Sequence, residues 1–285
     1  MTTLDRKIDF TVILSVTKAN PNGDPLNGNR PRQNYDGYGE ISDVAIKRKI
    51  RNRLQDMGES IFVQSNDRNL DGYASLRDRA EANDTIKKLM KTKNASDQVA
   101  AEACATWMDV RAFGQVFAFK GDKAGGVSVG VRGPVSIHTA TSVAPIDVTS
   151  MQITKSVNSE SGKERGSDTM GMKHRVDHGV YVFNGSINTQ LAEKTNFTQE
   201  DAEKFKLALV SLFENDASSA RPEGSMEVHK VYWWEHDSKL GRFSSAKVHR
   251  AVSVQALTDE PKSFLDYEIK VDALEGFTPE ILDGL

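Results

Sequence analysis

The sequence predicts an α+β fold with a mainly antiparallel sheet, because strand and helix patterns are mixed along the chain without strict alternation. The clearest strand covers residues 8–17, where apolar and polar side chains alternate with the period of a half-buried strand. The clearest helix covers residues 198–213, where Thr198 can cap the first turn and Asp201 stands at the third helical position.

The first strand ends at Lys18 and is followed by a loop rich in Asn, Gly, Asp and Pro, ANPNGDPLNGNRPR at residues 19–32. Neither a helix nor a strand can continue through such a composition. Ser42 or Asp43 then offers a helix N-cap, and Gly58 a stop. Four apolar residues between them recur at helical spacing: Ile46, Ile50, Leu54 and Met57.

This helix is strongly basic. Five cationic residues fall within seven positions with no acid among them: Lys47, Arg48, Lys49, Arg51 and Arg53. At about 100° per residue, Lys47, Arg48 and Arg51 form one flank beside the apolar stripe, and we expect this flank to have no partner in its own helix. Most charge runs are solvated helix faces. Here the preceding loop adds cations, amide side chains and glycines, which suits binding to a nucleic-acid backbone.

Composition narrows the possible functions. The chain has 285 residues, enough for one large domain with insertions or for two small domains. With 37 basic and 40 acidic residues the net charge is −3, so any nucleic-acid site must be local. The single cysteine, Cys104, excludes an intrachain disulfide and a cysteine zinc cluster, and we expect it to be a packed thiol. We find no leader or membrane-span pattern, which predicts a cytoplasmic protein.

The middle of the chain gives weaker signals. Residues 66–94 predict short helices on a mobile, exposed insertion, residues 97–108 predict a helix and residues 110–119 predict a strand with a largely buried set of phenylalanines. Five glycines in residues 121–133 indicate a flexible connection, since the ending of a P-loop is missing. Arg132 and His138 can still face RNA. Further strands are expected at residues 135–137, 151–157, 180–187, 226–235, 247–255 and 265–271.

Two tryptophans lie next to each other in one of these strands, Trp233 and Trp234. In a regular strand they point to opposite faces, which allows one of them to be exposed.

Residues 158–177 are almost wholly polar and lie between strand patterns, which predicts a protruding hairpin or a disordered loop. Met170 and Met172 are the only apolar residues before Val176. A methionine can wedge between bases or pack on another protein, and the following Lys173, His174 and Arg175 can hold phosphates. A plain surface loop is the alternative. We predict no metal site at His174 and His178, because the segment is not helical and the Glu of a zinc motif is absent.

Three blocks of sequence occur in order and carry a family resemblance: ILSVTKANPNGDP at 13–25, NRPRQN at 29–34 and ISDVAIKRKIR at 41–51. They resemble the repeated backbone subunit of the type I-C CRISPR surveillance complex (Cascade), an RRM-like member of the RAMP superfamily. The resemblance extends through DVRAFG at 109–114 and HGVYVF at 178–183, so it covers nearly the whole chain.

The resemblance implies a ferredoxin-like or RRM-like palm over a single domain, residues 1–285, with a helical finger insertion at about 58–109 and a thumb hairpin at about 150–180. In the family, copies stack along a guide RNA, and the thumb crosses the RNA, displaces a nucleotide and reaches the adjacent copy. The implied partners are the guide RNA (crRNA), target DNA paired to it, and other copies in a helical filament. The crRNA-processing or 5′-handle subunit, the large and small subunits and, indirectly, a helicase-nuclease complete the list.

We therefore predict a non-catalytic RNA-binding scaffold with no cofactor and no metal. It would hold the spacer part of the guide by its phosphates, which carry no sequence information, and leave the bases free to pair with target DNA. The candidate RNA-binding residues are Lys18, Asn20, Asn22, Asn27, Asn29, Arg30, Arg32, Lys47, Arg48, Arg51, Arg132, His138, Met170, Met172, Lys173, His174 and Arg175.

Two other functions stay open. The first is a divalent-dependent endoribonuclease, because related backbone subunits of type III complexes use an aspartate in the loop after the first strand, and Asp24 lies in such a loop here. The second is a monomeric single-strand RNA-binding protein that covers one short site.

Overall fold

A computed structural model describes residues 2–118, 128–154 and 170–285. The strands are β1 Ile8–Ala19, β2 Gly23–Asp24, β3 Arg30–Pro31, β4 Tyr38–Ile41, β5 Gly114–Ala118, β6 Ser128–Arg132, β7 Val135–Ile137, β8 Ala140–Pro145, β9 Val148–Thr154, β10 Met170–Ile187, β11 Met226–Glu235, β12 Val252–Ala256, β13 Tyr267–Val271 and β14 Glu280–Asp283. The α-helices are α1 Asp43–Asp56, α2 Leu76–Ala82, α3 Asp84–Leu89, α4 Ser96–Thr106, α5 Met108–Phe113, α6 Thr189–Thr195, α7 Gln199–Val210 and α8 Ser245–His249.

The fold is organised around β1, the central strand of an eight-stranded antiparallel sheet. It pairs along its length with β10 on one side, Ile8 facing Ile187, and with β11 on the other, Ile8 facing Glu235. The outer edge of β10 pairs in turn with β7, β8 and β9, while β14 borders β11 and β4 borders β8. The predicted α+β class with a mainly antiparallel sheet is confirmed.

Four strands and two helices of this sheet follow the chain order β1, α1, β7, β10, α7, β11. Their sheet order is β11, β1, β10, β7, and this βαββαβ arrangement is the ferredoxin-like motif. The other elements are inserted between these six or follow them. The predicted strand at residues 226–235 and the Ser42 cap of α1 are both confirmed.

The main core lies between the sheet and helices α1 and α7. Phe10 of β1 packs against Phe205 of α7, with ring centroids 5.7 Å apart. Ile46, Ile50 and Leu54 of α1 belong to the same buried cluster, as their helical spacing predicts. At the start of α7, Thr198 and Asp201 form the predicted capping box, which fixes where the helix begins.

The opposite face of the sheet is also covered. Trp233 is 2% exposed and joins the helix-side core, whereas Trp234 is 1% exposed and packs with Val248 and Tyr267. The expectation that one tryptophan could be exposed is wrong, because α8 and the β12–β13 hairpin form a second layer over that face.

A third buried cluster lies in the insertion after α1. Phe62 packs against Trp107 at 4.6 Å and against Phe117 at 5.1 Å between ring centroids. The predicted short helices are present, but Ile86 and Arg79 are buried, so the expectation of an exposed insertion is wrong in part. The Arg79 guanidinium donates to Asp71 and to the carbonyl of Phe62.

Two strand predictions fail at their first residues. Residues 110–113 belong to α5, and the strand β5 begins only at Gly114, whose φ of 80° ends the helix. Residues 247–249 belong to α8, which is capped by the Ser244 side chain.

Other expectations concern residues 119–127 and 155–169, which lie outside the described residues. Within the predicted flexible connection, residues 128–132 form β6, which pairs with β5. Within the predicted polar hairpin, residues 170–177 form the first part of β10, and residues 170–176 of it pair with β9. Cys104 is buried, and burial raises the pKa of its thiol to about 11, as suits a packed thiol. No helix in the described ranges is long and apolar enough to cross a membrane.

The two-sided burial of β11 predicts a large effect of Trp234→Ala. We expect the free energy of unfolding to fall by about 3–5 kcal/mol, because a fully buried aromatic side chain leaves a cavity. Leu257→Ala is the control, since Leu257 is 60% exposed, and its effect should lie within about 0.5 kcal/mol of zero. Urea unfolding monitored by circular dichroism measures both. Equal urea midpoints for the two variants would contradict the burial of Trp234 under a second layer.

Candidate nucleic-acid interface

The asparagine-rich loop at residues 19–32 is built from internal hydrogen bonds. The buried Asn20 donates through Nδ2 to the carbonyl of Asn29 at 2.7 Å, and β2 pairs with β3 across the loop. The Asp24 carboxylate accepts from the backbone N–H of Leu26 at 3.2 Å and caps a short 3₁₀ turn. Gly23 lies directly against the Asn29 side chain, where any Cβ would clash. The loop is therefore an ordered feature of the fold.

These contacts divide the loop's polar residues into supporting and exposed groups. Asn20 is used inside the loop, and Asn22 accepts from the backbone N–H of Ser42 at 2.9 Å, which ties the loop to the start of α1. Lys18, Asn27 and Asn29 are exposed. Lys18, near the end of β1, and Asn29, in the turn before β3, adopt left-handed backbone conformations with φ of 53° and 60°.

Arg30 connects this loop to the β9–β10 hairpin. Its guanidinium donates to the Ser150 hydroxyl at 2.7 Å, although the two residues are 120 positions apart in the sequence. The same hydroxyl lies 2.8 Å from Nδ1 of His174, and Arg30 approaches that nitrogen at 3.5 Å. Two segments that the sequence proposed separately therefore meet, and we call this contact the Arg30–His174 junction.

The junction continues into an apolar strip on β10. Side chains two positions apart share one face of a strand, so Met170, Met172 and His174 lie in a row. Met170 is 49% exposed and Met172 is 56% exposed. Lys173 and Arg175 lie on the opposite face of the strand, and Arg175 pairs with Asp177 at 3.4 Å. A charged junction thus adjoins a row of exposed thioethers.

The basic helix α1 differs from its prediction. Lys47 pairs with Asp43 of the same helix at 3.0 Å, so the expectation of a flank without a helical partner is wrong. Arg48 donates to the carbonyl of Val63, and burial together with the nearby Arg51 charge lowers its pKa. Lys49 is buried and pairs with Asp216, and Arg53 donates to Ser211 at 2.7 Å.

Arg51 is the flank residue that pairs with a fully buried acid. Its side chain is 13% exposed, donates to the buried Asp109 at 2.9 Å and lies 4.9 Å from the Phe113 ring centre. The Asp109 carboxylate also accepts from the backbone N–H groups of Phe62 and Val63 at 2.7 and 3.1 Å. Arg51 therefore joins α1 to the insertion. All three flank residues are partly buried.

Arg32, Arg132 and His138 are not partners in the hydrogen bonds of the junction. Arg32 approaches Asp24 at 3.6 Å, and Arg132 is exposed at the end of β6. The backbone N–H of His138 donates to the carbonyl of Asn184, ten residues along β10 from His174, which is roughly 33 Å in a strand. The structure therefore does not bring His138 to the Arg30–His174 junction.

The two histidines with possible metal-ligand spacing have separate contacts. His174 faces Ser150 and Arg30, whereas Nδ1 of His178 lies 3.2 Å from the Thr17 hydroxyl. Among the described residues no group of three or more His, Cys, Asp or Glu side chains is placed to hold a metal ion.

Sequence reasoning missed a cleft beside α1. Arg68 and Arg221 line it together with Asn22, Arg48 and Lys49. These cations come from three distant segments, and neither Arg68 nor Arg221 lies in a recognisable motif.

A family model described as CRISPR-associated protein Cas7 matches residues 6–272. The chain belongs to the Cas7 family. A Cas7 protein of Haloferax volcanii is 28% identical over 241 residues, which cover 77% of this chain and 67% of that protein. A solved chain of a CRISPR RNA-guided surveillance complex in a pre-nicking state superposes with a TM-score of 0.54 at 16% identity, covering 91% of this chain and 84% of that one. This structural similarity supports the shared fold.

The contacts of Asp109 predict the effect of its removal from this Cas7-family chain. Asp109→Ala leaves the Arg51 guanidinium and two backbone N–H groups without their acceptor, so we expect a loss of about 3–5 kcal/mol in unfolding free energy. Asp259→Ala is the matched control, since Asp259 is exposed in a loop. Thermal and urea unfolding provide the measurement. Unchanged stability of Asp109→Ala would show that this carboxylate does not hold α1 to the insertion.

Proposed function

We propose that this chain is the guide-RNA-binding backbone subunit of a CRISPR surveillance complex. Membership of the Cas7 family supports this, and the observation that carries the proposal is the Arg30–His174 junction with its methionine strip. An arginine and a histidine can bind phosphate, and exposed methionines can pack on an unstacked base. The arrangement suits a single strand whose backbone is held and whose stacking is interrupted.

The chemistry of the junction explains how one protein could carry any guide sequence. Phosphates are identical at every nucleotide, so contacts to them position the strand without reading it. The bases then remain available to pair with target DNA. Copies arranged head to tail along the strand would form an open helical filament, since such contacts between unlike surfaces do not have to close into a ring.

We assign the finer features by family resemblance. Residues 58–109 would serve as the finger and residues 150–180 as the thumb of one RRM-like domain in the RAMP superfamily, in a type I-C complex in the cytoplasm. The proposed partners are the guide RNA, target DNA paired to it, neighbouring copies, the 5′-handle subunit and the large and small subunits. A recruited helicase-nuclease would act through the assembled complex.

The proposed role is structural rather than catalytic. Asp24 was the candidate nuclease residue, and its carboxylate accepts from the backbone N–H of Leu26 and lies 3.6 Å from Arg32. Both contacts support a role in shaping the loop.

A salt titration tests the phosphate role of Arg30. Arg30→Ala should weaken binding of guide-length RNA equally for different sequences and reduce the slope of log affinity against log salt by about 0.7, since one phosphate contact is lost. Fluorescence anisotropy at several salt concentrations measures both quantities.

Lys270→Ala is the matched control, because Lys270 is an exposed cation on β13 that pairs with Glu268 at 3.0 Å. It should change neither the affinity nor the slope. If Arg30→Ala behaves like this control, the junction does not bind RNA.

A further inference from the structure

A polar cleft of about 280 Å³ opens beside α1. Its walls come from four segments: the asparagine-rich loop at residues 21–23, α1, residues 65–68 and the loop at residues 215–221 after α7. The cleft is separate from the Arg30–His174 junction, since neither Arg30 nor His174 lines it.

Cations outnumber acids among the residues that line the cleft. Arg48, Lys49, Arg68 and Arg221 face it against two acids, Asp67 and Asp216. This local excess of positive charge favours an anionic ligand, although the net charge of the whole chain is −3.

The cations are held in place by the two neighbouring loops. Asp216 accepts from Lys49 of α1 and from Nε of Arg221 at 3.3 Å, which fixes the 215–221 loop against the helix. Arg221 makes this contact through Nε, so its two terminal guanidinium nitrogens do not take part in the ion pair with Asp216. Arg68 donates to Asp56 at 2.7 Å and to the carbonyl of Asn215. The site is therefore preorganised, and an anion would meet positioned donors.

Asn52 adds a requirement for a hydrogen-bond donor. It lines the cleft between these cations, and its Oδ1 atom is buried without a hydrogen-bond partner among the residues that the structure describes. A buried acceptor without a partner costs about 1–3 kcal/mol, so a ligand that donates to it gains that much. The matching ligand combines a negative charge with a hydroxyl or amino donor.

A ribonucleotide unit of RNA has this combination. Its phosphate is the anion, and its 2′-hydroxyl is a donor that DNA lacks. The cleft volume lies near the lower end of small-molecule sites, roughly 300–1,000 Å³, which suits one such unit better than a stack of bases.

We propose that this cleft binds one ribose-phosphate unit of the bound RNA strand and selects RNA over DNA. Arg221 and Arg48 bind the phosphate, and Asn52 Oδ1 accepts from the 2′-hydroxyl. The proposal rests on the RNA-binding function proposed above and adds to it a residue that distinguishes the two nucleic acids.

The test compares an RNA strand with the all-2′-deoxy strand of the same sequence, using the full chain at fixed salt. The wild type should prefer RNA, and Asn52→Ala should lower the RNA-over-DNA affinity ratio about tenfold, as expected for the loss of one hydrogen bond to a buried group. Arg221→Ala should weaken both strands alike and reduce the salt slope by about 0.7.

Matched controls separate these effects from general damage. Gln255→Ala removes an exposed amide on β12 and Arg250→Ala an exposed guanidinium after α8, and both should bind like the wild type. Asn52→Asp keeps an acceptor oxygen, so it should retain the preference for RNA while binding both strands more weakly, because it adds a negative charge near the phosphate. Thermal unfolding of each variant confirms that it is folded.

The outcomes are distinguishable. If the wild type binds RNA and folded Asn52→Ala keeps the full RNA-over-DNA ratio, the cleft assignment is overturned while the scaffold function stands. If the wild type binds neither strand, the proposed function is overturned and the cleft assignment with it.

Discussion

The attachment of α1 to the insertion depends on one buried carboxylate. Asp109 accepts three hydrogen bonds, from the Arg51 guanidinium and from the backbone N–H groups of Phe62 and Val63. A buried charge is tolerated only when it is paired and hydrogen-bonded, and each of these partners comes from a different part of the chain than Asp109 itself. The contact holds the insertion against α1, and it orients the helix that carries Arg48, Lys49 and Asn52 toward the cleft.

The candidate interface is built on hydrogen bonds rather than on charge alone. The amides of Asn20 and Asn22 support the loop from inside, so the loop can hold Arg30 against the β9–β10 hairpin. Much of the positive charge on α1 is already paired: Lys47 with Asp43, Lys49 with Asp216 and Arg51 with Asp109. The chain has a net charge of −3. Binding of a polyanion would therefore depend on ordered local groups and not on the net charge of the protein.

Features with a local cause were predictable from the sequence. The strand β1, the apolar spacing of α1 and the Thr198 capping box are read within a few residues, and the structure has all three. The expectation that β1 is half-buried is wrong, because residues 8–16 are buried on both faces of the sheet. Features that depend on distant contacts were not predictable. The partner of Arg51 is Asp109, 58 residues away in the sequence. The layer that covers Trp234 comes from α8 and the β12–β13 hairpin, which follow it in the chain.

The candidate site likewise combines residues that the sequence indicated with contacts that it could not indicate. The sequence marked Arg30 and His174 as separate candidates, but no pattern in either segment indicates that Ser150 lies between them. Arg221 and Arg68 carry no motif at all, because their role arises only where two loops converge on α1.

The most direct test of the RNA-scaffold account is the size and nucleic-acid content of the protein after expression with a CRISPR array and its partner subunits. Size-exclusion chromatography with light scattering gives the mass, and sequencing of the extracted nucleic acid identifies the strand. The account predicts a large particle that contains guide RNA of defined length and several copies of this chain. A nucleic-acid-free monomer under the same conditions would contradict it.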